Sequence, residues 1–327
     1  MFYRWLFPII ICSAFLFSTC TNQLDVTTSY KDTTIVYCLL SPSDSVQYIK
    51  IYKAFIGDGN AYEFAQQADS FYFPDILKVQ LLRIKNGEPN DTIILKRDTL
   101  SPMVDGVFAS APNVVYTTTA NIDISSQYRL NINNLKSGSA VTATTVIPSE
   151  SVVSDPSPLD DEIKLVSGST YTISWQSGIN AKVYNAVMRF HYEEVTAGIT
   201  TSKFIDWPLG DKIVKDPSVI EYFDLVKSKD GFYKNLEKNL SVPDSLTYRI
   251  AGKIELIFAG AATDYYYYQK INNASVGVNQ SIPDFTNIQN GLGIFSAKTI
   301  SGWSFDLDAA SLDYLKNGPY TSQLKFN

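Results

Sequence analysis

His191 is the only histidine in this 327-residue chain, and that count bounds the chemistry at once. A zinc centre built on two histidines cannot be assembled, and a Ser–His–acid triad would have to use this one ring. The residue lies in "VMRFHYEEV", where Met188, Phe190 and Tyr192 alternate with Arg189, His191 and Glu193. Period-two alternation marks a half-buried strand, so His191 is expected on its solvent face between a cation and an anion, not in a catalytic dyad. Carboxylates are the other source of chemistry. Asp206, Glu221, Asp224, Glu255, Asp306 and Asp308 would suit a hydrolase of glycan or cell wall. Such an enzyme needs two acids at a fixed separation, which spacing along the chain does not reveal. Asp160, Asp161 and Glu162 are adjacent, and neighbours on an extended chain point to opposite sides, so they read as a solvated run and not a metal trio. "GDGNAYE" (57–63) and "DLD" (306–308) carry oxygen ligands, but neither matches an EF-hand loop. "NGLGIF" lacks the third glycine of a dinucleotide loop, so Gly291 and Gly293 are expected to serve backbone conformation where a strand begins. No metal or cofactor is expected, and the chain is read as a non-enzyme.

The aromatic content points elsewhere. Tyrosine occurs 21 times and aromatic residues make up 13% of the chain. Tyrosine joins a large apolar face to a hydroxyl at low entropy cost, which suits interfaces and the binding of sugars or peptides. Tyr265, Tyr266, Tyr267 and Tyr268, in "DYYYYQ", and Trp207, in "FIDWP", are the candidate ligand-binding residues.

The N-terminus carries a different signal. "MFYRWLFPIIICSAFLFST" holds one charge, Arg4, before an apolar run from Trp5 to Phe17. That run is shorter than the roughly 20 residues a helix needs to cross a bilayer, and its pattern is that of a secretory leader spanning 1–19. Cys20 follows Ser18 and Thr19, and the junction resembles the lipobox of bacterial lipoproteins, where cleavage occurs before a cysteine that carries diacylglycerol. The resemblance departs at Phe17 and Thr19, where smaller or aliphatic residues are usual. It implies a lipidated Cys20; about two or three acyl chains would hold the protein at a membrane almost permanently. Loss of the leader removes Cys12, and lipid occupies Cys20. Only Cys38, in "TIVYCLL", then remains, so no intrachain disulfide is expected and Cys38 reads as a small buried thiol. The net charge is −6 with no basic stripe, which argues against nucleic acid as a partner.

These groups must be positioned by a mainly β chain. After a polar tether (20–32), "TTIVYCLL", "SVQYIKIYKAF", "ILKVQLLRI", "DTIILKRD", "NVVYTTTA", "QYRLNINNL" and "AVTATTVI" recur as strands with turn residues between them. That spacing predicts an immunoglobulin/fibronectin-like β-sandwich over 33–147, interrupted by a short helix in "NAYEFAQQADSF". "PSESVVSDPSPLDDE" predicts a linker over 148–162. A second β-sandwich with helical insertions is expected over 163–327. It would hold strands at "STYTISWQ", "KVYNAVMRFHYEEV" and "ITTSKFIDW", and later at "LTYRIAGKIELIFAG", "GLGIFSAKTI" and "GWSFDLD". Its helices are predicted from a cap at Asp216 with Pro217 first inside, then in "FYKNLEKNL" after a break at Gly231, in "TDYYYYQKINN" and around "AASLDYLK".

"TTIVYCLLSPSDSVQYIKIYKAFIG", "AVTATTVIP", "DYYYYQ" and "NIQNGLGIFSA" together resemble a domain-of-unknown-function family of Bacteroidota lipoproteins, often encoded beside TonB-dependent outer-membrane receptors. The similarity runs through nearly the whole mature chain on strand and turn signatures, and no catalytic residues come with it. It implies a lipid-anchored accessory or binding protein of the outer membrane, associated with such a receptor and its ligand. Thr21 after Cys20, in place of an inner-membrane-retaining aspartate, agrees with that compartment. The rival expectations are the carboxylate-based hydrolase and a structural or adhesive surface module.

Overall fold

Strands form wherever β-branched and aromatic residues alternate with polar ones, because one face then finds a core while the other stays in water. The computed structural model describes residues 33–54, 61–104, 106, 109–166, 168–272 and 285–327. The leader, Cys20 and the tether lie outside the described residues. Residues Thr33–Asn327 form one unit. In chain order they are β1 (Thr34–Leu40), β2 (Gln47–Lys53), α1 (Ala61–Ala65), α2 (Ala68–Phe71), β3 (Leu77–Lys85), β4 (Glu88–Ile94), β5 (Lys96–Leu100), β6 (Asn113–Thr118), β7 (Gln127–Asn134) and β8 (Ala140–Val146). Then follow β9 (Val152–Asp155), β10 (Glu162–Ile163), β11 (Thr170–Gln176), β12 (Val183–Thr196), β13 (Ile199–Ile213), β14 (Tyr222–Ser228), α3 (Lys229–Asn239), β15 (Thr247–Ala261), α4 (Thr263–Asn272), β16 (Gly291–Leu307) and α5 (Ala309–Asn317). The chain is mainly β, as its patterning predicts.

Three sheets result. The largest runs β13-β12-β15-β16-β1-β2-β6-β5, with β10 also pairing to β16; the others are β14-β11-β9 and β4-β3-β7-β8. Two hydrophobic cores fill the space between them. Val36, Leu40 and Ile49 of the large sheet meet Leu81, Tyr128 and Leu130 of the four-stranded sheet in the first. In the second, Phe190, Leu256 and Phe305 meet Trp175 of the three-stranded sheet together with Phe232 and Leu315 from α3 and α5. Trp175 is fully buried, with its ring centroid 4.7 Å from that of Phe258.

The second core takes its residues from Val153 onward, close to the predicted division, but the chain is not cut there. β16 belongs to both cores: Phe295 and Ala297 enter the first, Phe305 and Leu307 the second. Its N-terminal half pairs in parallel with β1, from Thr34↔Gly291 to Leu40↔Ala297, and its C-terminal half pairs antiparallel with β15. One sheet therefore runs through both halves. The 148–162 segment also differs from a loose linker. Val153, 1% exposed, belongs to the second core, β9 pairs with β11, and the amide of Ser151 donates to Ser301 Oγ at 3.1 Å. Its prolines and serines mask a short alternating strand.

The helices depart from prediction at two places. Asp216 caps no helix: its carboxylate accepts from the amide and hydroxyl of Ser218 at 2.9 and 2.6 Å, closing a turn. Val219, Phe223 and Val226 fit a helical spacing, but Phe223 and Leu225 also alternate. Pairing Trp175↔Phe223 and Ile173↔Leu225 makes Tyr222–Ser228 a strand. Gly231 does not break α3 but lies inside it, where a Cβ would stand 2.8 Å from Cη2 of Trp207. "GLGIFSAKTI" and "GWSFDLD" are one continuous strand, β16. The predicted helix at "NAYEFAQQADSF" forms as α1 and α2, and those at "TDYYYYQKINN" and "AASLDYLK" form as α4 and α5. No helix among the described residues is long and apolar enough to cross a membrane.

Candidate functional site

At Ala261 the chain leaves β15 and turns at once into α4, the tyrosine helix. Asp264 in its first turn suits the positive end of the helix and accepts from Asn287 Nδ2 at 2.9 Å. Asn287 also donates to the carbonyl of Phe295 at 2.7 Å and accepts from its amide at 3.0 Å, so the helix is pinned to the start of β16. No residue of α4 is fully buried, although it carries four tyrosines.

The four rings take different surroundings. Tyr268 stands edge-on to Tyr37 of β1, centroids 6.4 Å apart. Burial, then the neighbouring Tyr37 phenol, pushes the Tyr268 hydroxyl up to about 12. Tyr267, 41% exposed, tilts toward Phe285 at 6.2 Å. Tyr265 and Tyr266 wall a cleft of about 600 Å³ between the helix and the large sheet. Its floor is Leu39, Val183, Ala259 and Ala261, with Ile213 at one side. The two alanines make the concavity: larger side chains there would fill the space beneath the helix.

Polar groups line the same cleft, and two pairs of them bond to one another. Asn185 Nδ2 donates to Asp211 Oδ1 at 2.8 Å, and Gln269 Nε2 donates to the Tyr265 hydroxyl at 3.0 Å. Lys270 and Lys298 also line it. The ammonium groups of Lys270 and Lys182 lie 5.7 and 6.0 Å from the Tyr266 ring centroid, within cation–π range. Lys182 is further held by the carbonyls of Val214, at 2.6 Å, and Lys215, at 3.0 Å.

The structure thus brings Tyr265 and Tyr266 into one cleft and sets Tyr267 and Tyr268 on other flanks of the helix. Trp207 is not brought to them. It lies on the core side of β13 with Ile205, packing against Gly231 of α3, with the Lys227 ammonium 5.8 Å from its ring. Sequence reasoning missed Lys298 and the alanine floor; the register Ala261↔Lys298 that joins them is a property of the β15–β16 pairing and leaves no local signal.

The remaining candidates have structural partners. His191 Nε2 is 3.1 Å from Glu255 Oε2, with both side chains part-exposed on the outward face of β12 and β15. Asp206 receives a two-pronged bond from Arg189 at 2.7 and 3.0 Å. Glu221 accepts from the amides of Lys215 and Asp216, Asp224 from the Ser174 hydroxyl, Asp306 faces Lys253 at 3.5 Å, and Asp308 caps α5 through the amide of Ser311 at 3.0 Å. Asp160, Asp161 and Glu162 border a second hollow of about 820 Å³ with Asp155, whose carboxyl is pushed up by burial and by the charges of Asp224 and Asp160. Among the described residues, no group of three or more His, Cys, Asp or Glu side chains is placed to hold a metal ion. Cys38 is 5% exposed and burial drives its thiol above the ordinary range, so it holds little thiolate. Gly293 has φ +101°, the backbone role expected of it. No protein-family model and no curated protein matches the chain.

Proposed function

We propose that this chain is a lipid-anchored accessory protein of the outer membrane, tethered through Cys20, that binds a small molecule in the cleft beneath α4. Its partner is a TonB-dependent receptor that handles the same ligand. The observation that carries the binding role is the cleft itself. An aromatic wall, an apolar floor and a few placed polar groups border an open cleft of about 600 Å³, within the roughly 300–1,000 Å³ of small-molecule sites. The tether rests on the leader and lipobox-like junction, and the receptor on the family resemblance. A non-enzymatic role is supported by the carboxylates, since each of the six candidates is engaged by a lysine or arginine, the His191 ring, a hydroxyl or backbone amides.

The first half of the chain is proposed to be immunoglobulin/fibronectin-like. Tyr128, fully buried at the start of β7, accepts from the amide of Asp123 at 2.7 Å, as the tyrosine corner of such domains does. An adhesive role through sheet edges is disfavoured by β13 itself. This long edge strand carries Lys203, Asp206, Pro208, Asp211 and Lys212, residues that discourage pairing with another chain.

Affinity capture of the tagged chain from detergent-solubilised membranes, read by mass spectrometry, tests the partnership. A TonB-dependent receptor should be enriched over an unrelated tagged lipoprotein. Recovery of the chain with no receptor above that control would overturn it.

A further inference from the structure

We infer that the cleft beneath α4 takes an amphiphilic organic anion, its apolar body on the floor of Val183, Ala259 and Ala261 and its acidic head at Lys270 and Lys298. This inference rests on the cleft being the binding site proposed above and names the chemistry of its ligand.

Three observations converge on that class. The floor and the Tyr265–Tyr266 wall are apolar or aromatic, which selects a hydrophobic body. Two of the neutral groups bond within the cleft, Asn185 to Asp211 and Gln269 to the Tyr265 hydroxyl. The ammonium groups supply its positive charge. In a chain of net charge −6, neither Lys270 nor Lys298 forms an ion pair with a carboxylate among the described residues; the two ammonium groups outnumber the single described acid of the lining, Asp211, whose Oδ1 accepts from Asn185. Lys182 adds a third positive charge near the Tyr266 ring. Cations left uncompensated beside an apolar surface favour an anion in their company and repel a cationic ligand. A free amphiphile and a membrane lipid share this chemistry.

The test uses the chain from Thr21 to Asn327, free of the predicted leader and acylation site, titrated calorimetrically without detergent. Decanoate and 1-decanol serve as probes with the same apolar chain and different heads. Decanoate is expected to bind at least about tenfold more tightly than decanol, and the double variant Lys270→Gln/Lys298→Gln should reduce it to the decanol level while leaving decanol unchanged. Sedimentation with phosphatidylglycerol vesicles that the double variant loses would support the same chemistry with a lipid as its source. Equal affinity for both probes would overturn the anion assignment and leave the cleft as a binding site. A folded chain that binds neither probe nor the vesicles would overturn both readings.

Discussion

Replacing Gly293 with alanine is expected to destabilise the chain by at least about 3 kcal/mol, a large share of the roughly 5–15 kcal/mol that holds a typical domain together. Two effects add. The backbone φ of +101° is one that side chains bearing a Cβ rarely adopt. A Cβ there would also stand 2.0 Å from the carbonyl oxygen of Val36, its partner across the parallel β1–β16 ladder. That oxygen belongs to backbone and cannot rotate away, so the strands must separate. The consequence spreads because β16 is shared by both cores. Gly138→Ala separates the two effects: φ is +73° and nothing lies within 4 Å, so only conformational strain of about 1–2 kcal/mol is expected. Urea denaturation of the two variants checks this, and equal losses would contradict the steric argument.

Arg249→Ala is expected to cost about 3–5 kcal/mol, the loss typical of breaking a buried ion pair. Arg249 is 2% exposed. Its guanidinium donates to Glu194 Oε2 at 3.0 Å, to the carbonyl of Leu324 at 3.0 Å and to that of Ser241 at 3.1 Å, while its own backbone brackets the C-terminal residues through Lys325 and Asn327. One side chain therefore ties β12, the segment after α3 and the C-terminus to β15. Lysine cannot replace this fork, so Arg249→Lys should lose most of the same stability. Faster hydrogen exchange at the amide of Asn327 would accompany the loss. Unchanged exchange and denaturation would refute it.

The same pair gives a pH dependence. The Lys203 ammonium, then Arg249, hold the Glu194 carboxyl below its ordinary value. A depressed folded-state value adds stability above the unfolded carboxyl range of about 4.3, and that stability is lost as pH falls through the folded value. In urea denaturation followed as pH falls below about 5, Glu194→Gln should therefore lose less stability than the native chain, and equal losses would contradict this.

The strands and helices were readable where one period dominated. Met188, Phe190 and Tyr192 alternate without interruption, and β12 buries all three. "TDYYYYQKINN" forms a helix because Tyr265, Tyr268 and Ile271 recur at helical spacing with Asp264 at its start. Tyr222–Ser228 was not readable, because both periods fit and only pairing with β11 decides between them. Nor does any local feature announce that β1 pairs in parallel with a strand near the other end of the chain. That non-local pairing joins what composition suggests are separate domains. The site divides in the same way: Tyr265 and Tyr266 stand out as aromatic residues, whereas Lys298 joins them only through sheet register. Trp207 is as aromatic as they are, and its burial against α3 depends on Gly231, a contact distant in sequence.

The tethered binding role is tested most directly at Cys20. Intact-mass analysis of the protein purified from membranes should find a mature chain beginning at Cys20 with acyl chains attached, and the Cys20→Ala chain should carry no acyl chains and keep its leader. A mature native chain free of fatty acid, or a Cys20→Ala chain cleaved and acylated as the native one is, would contradict it.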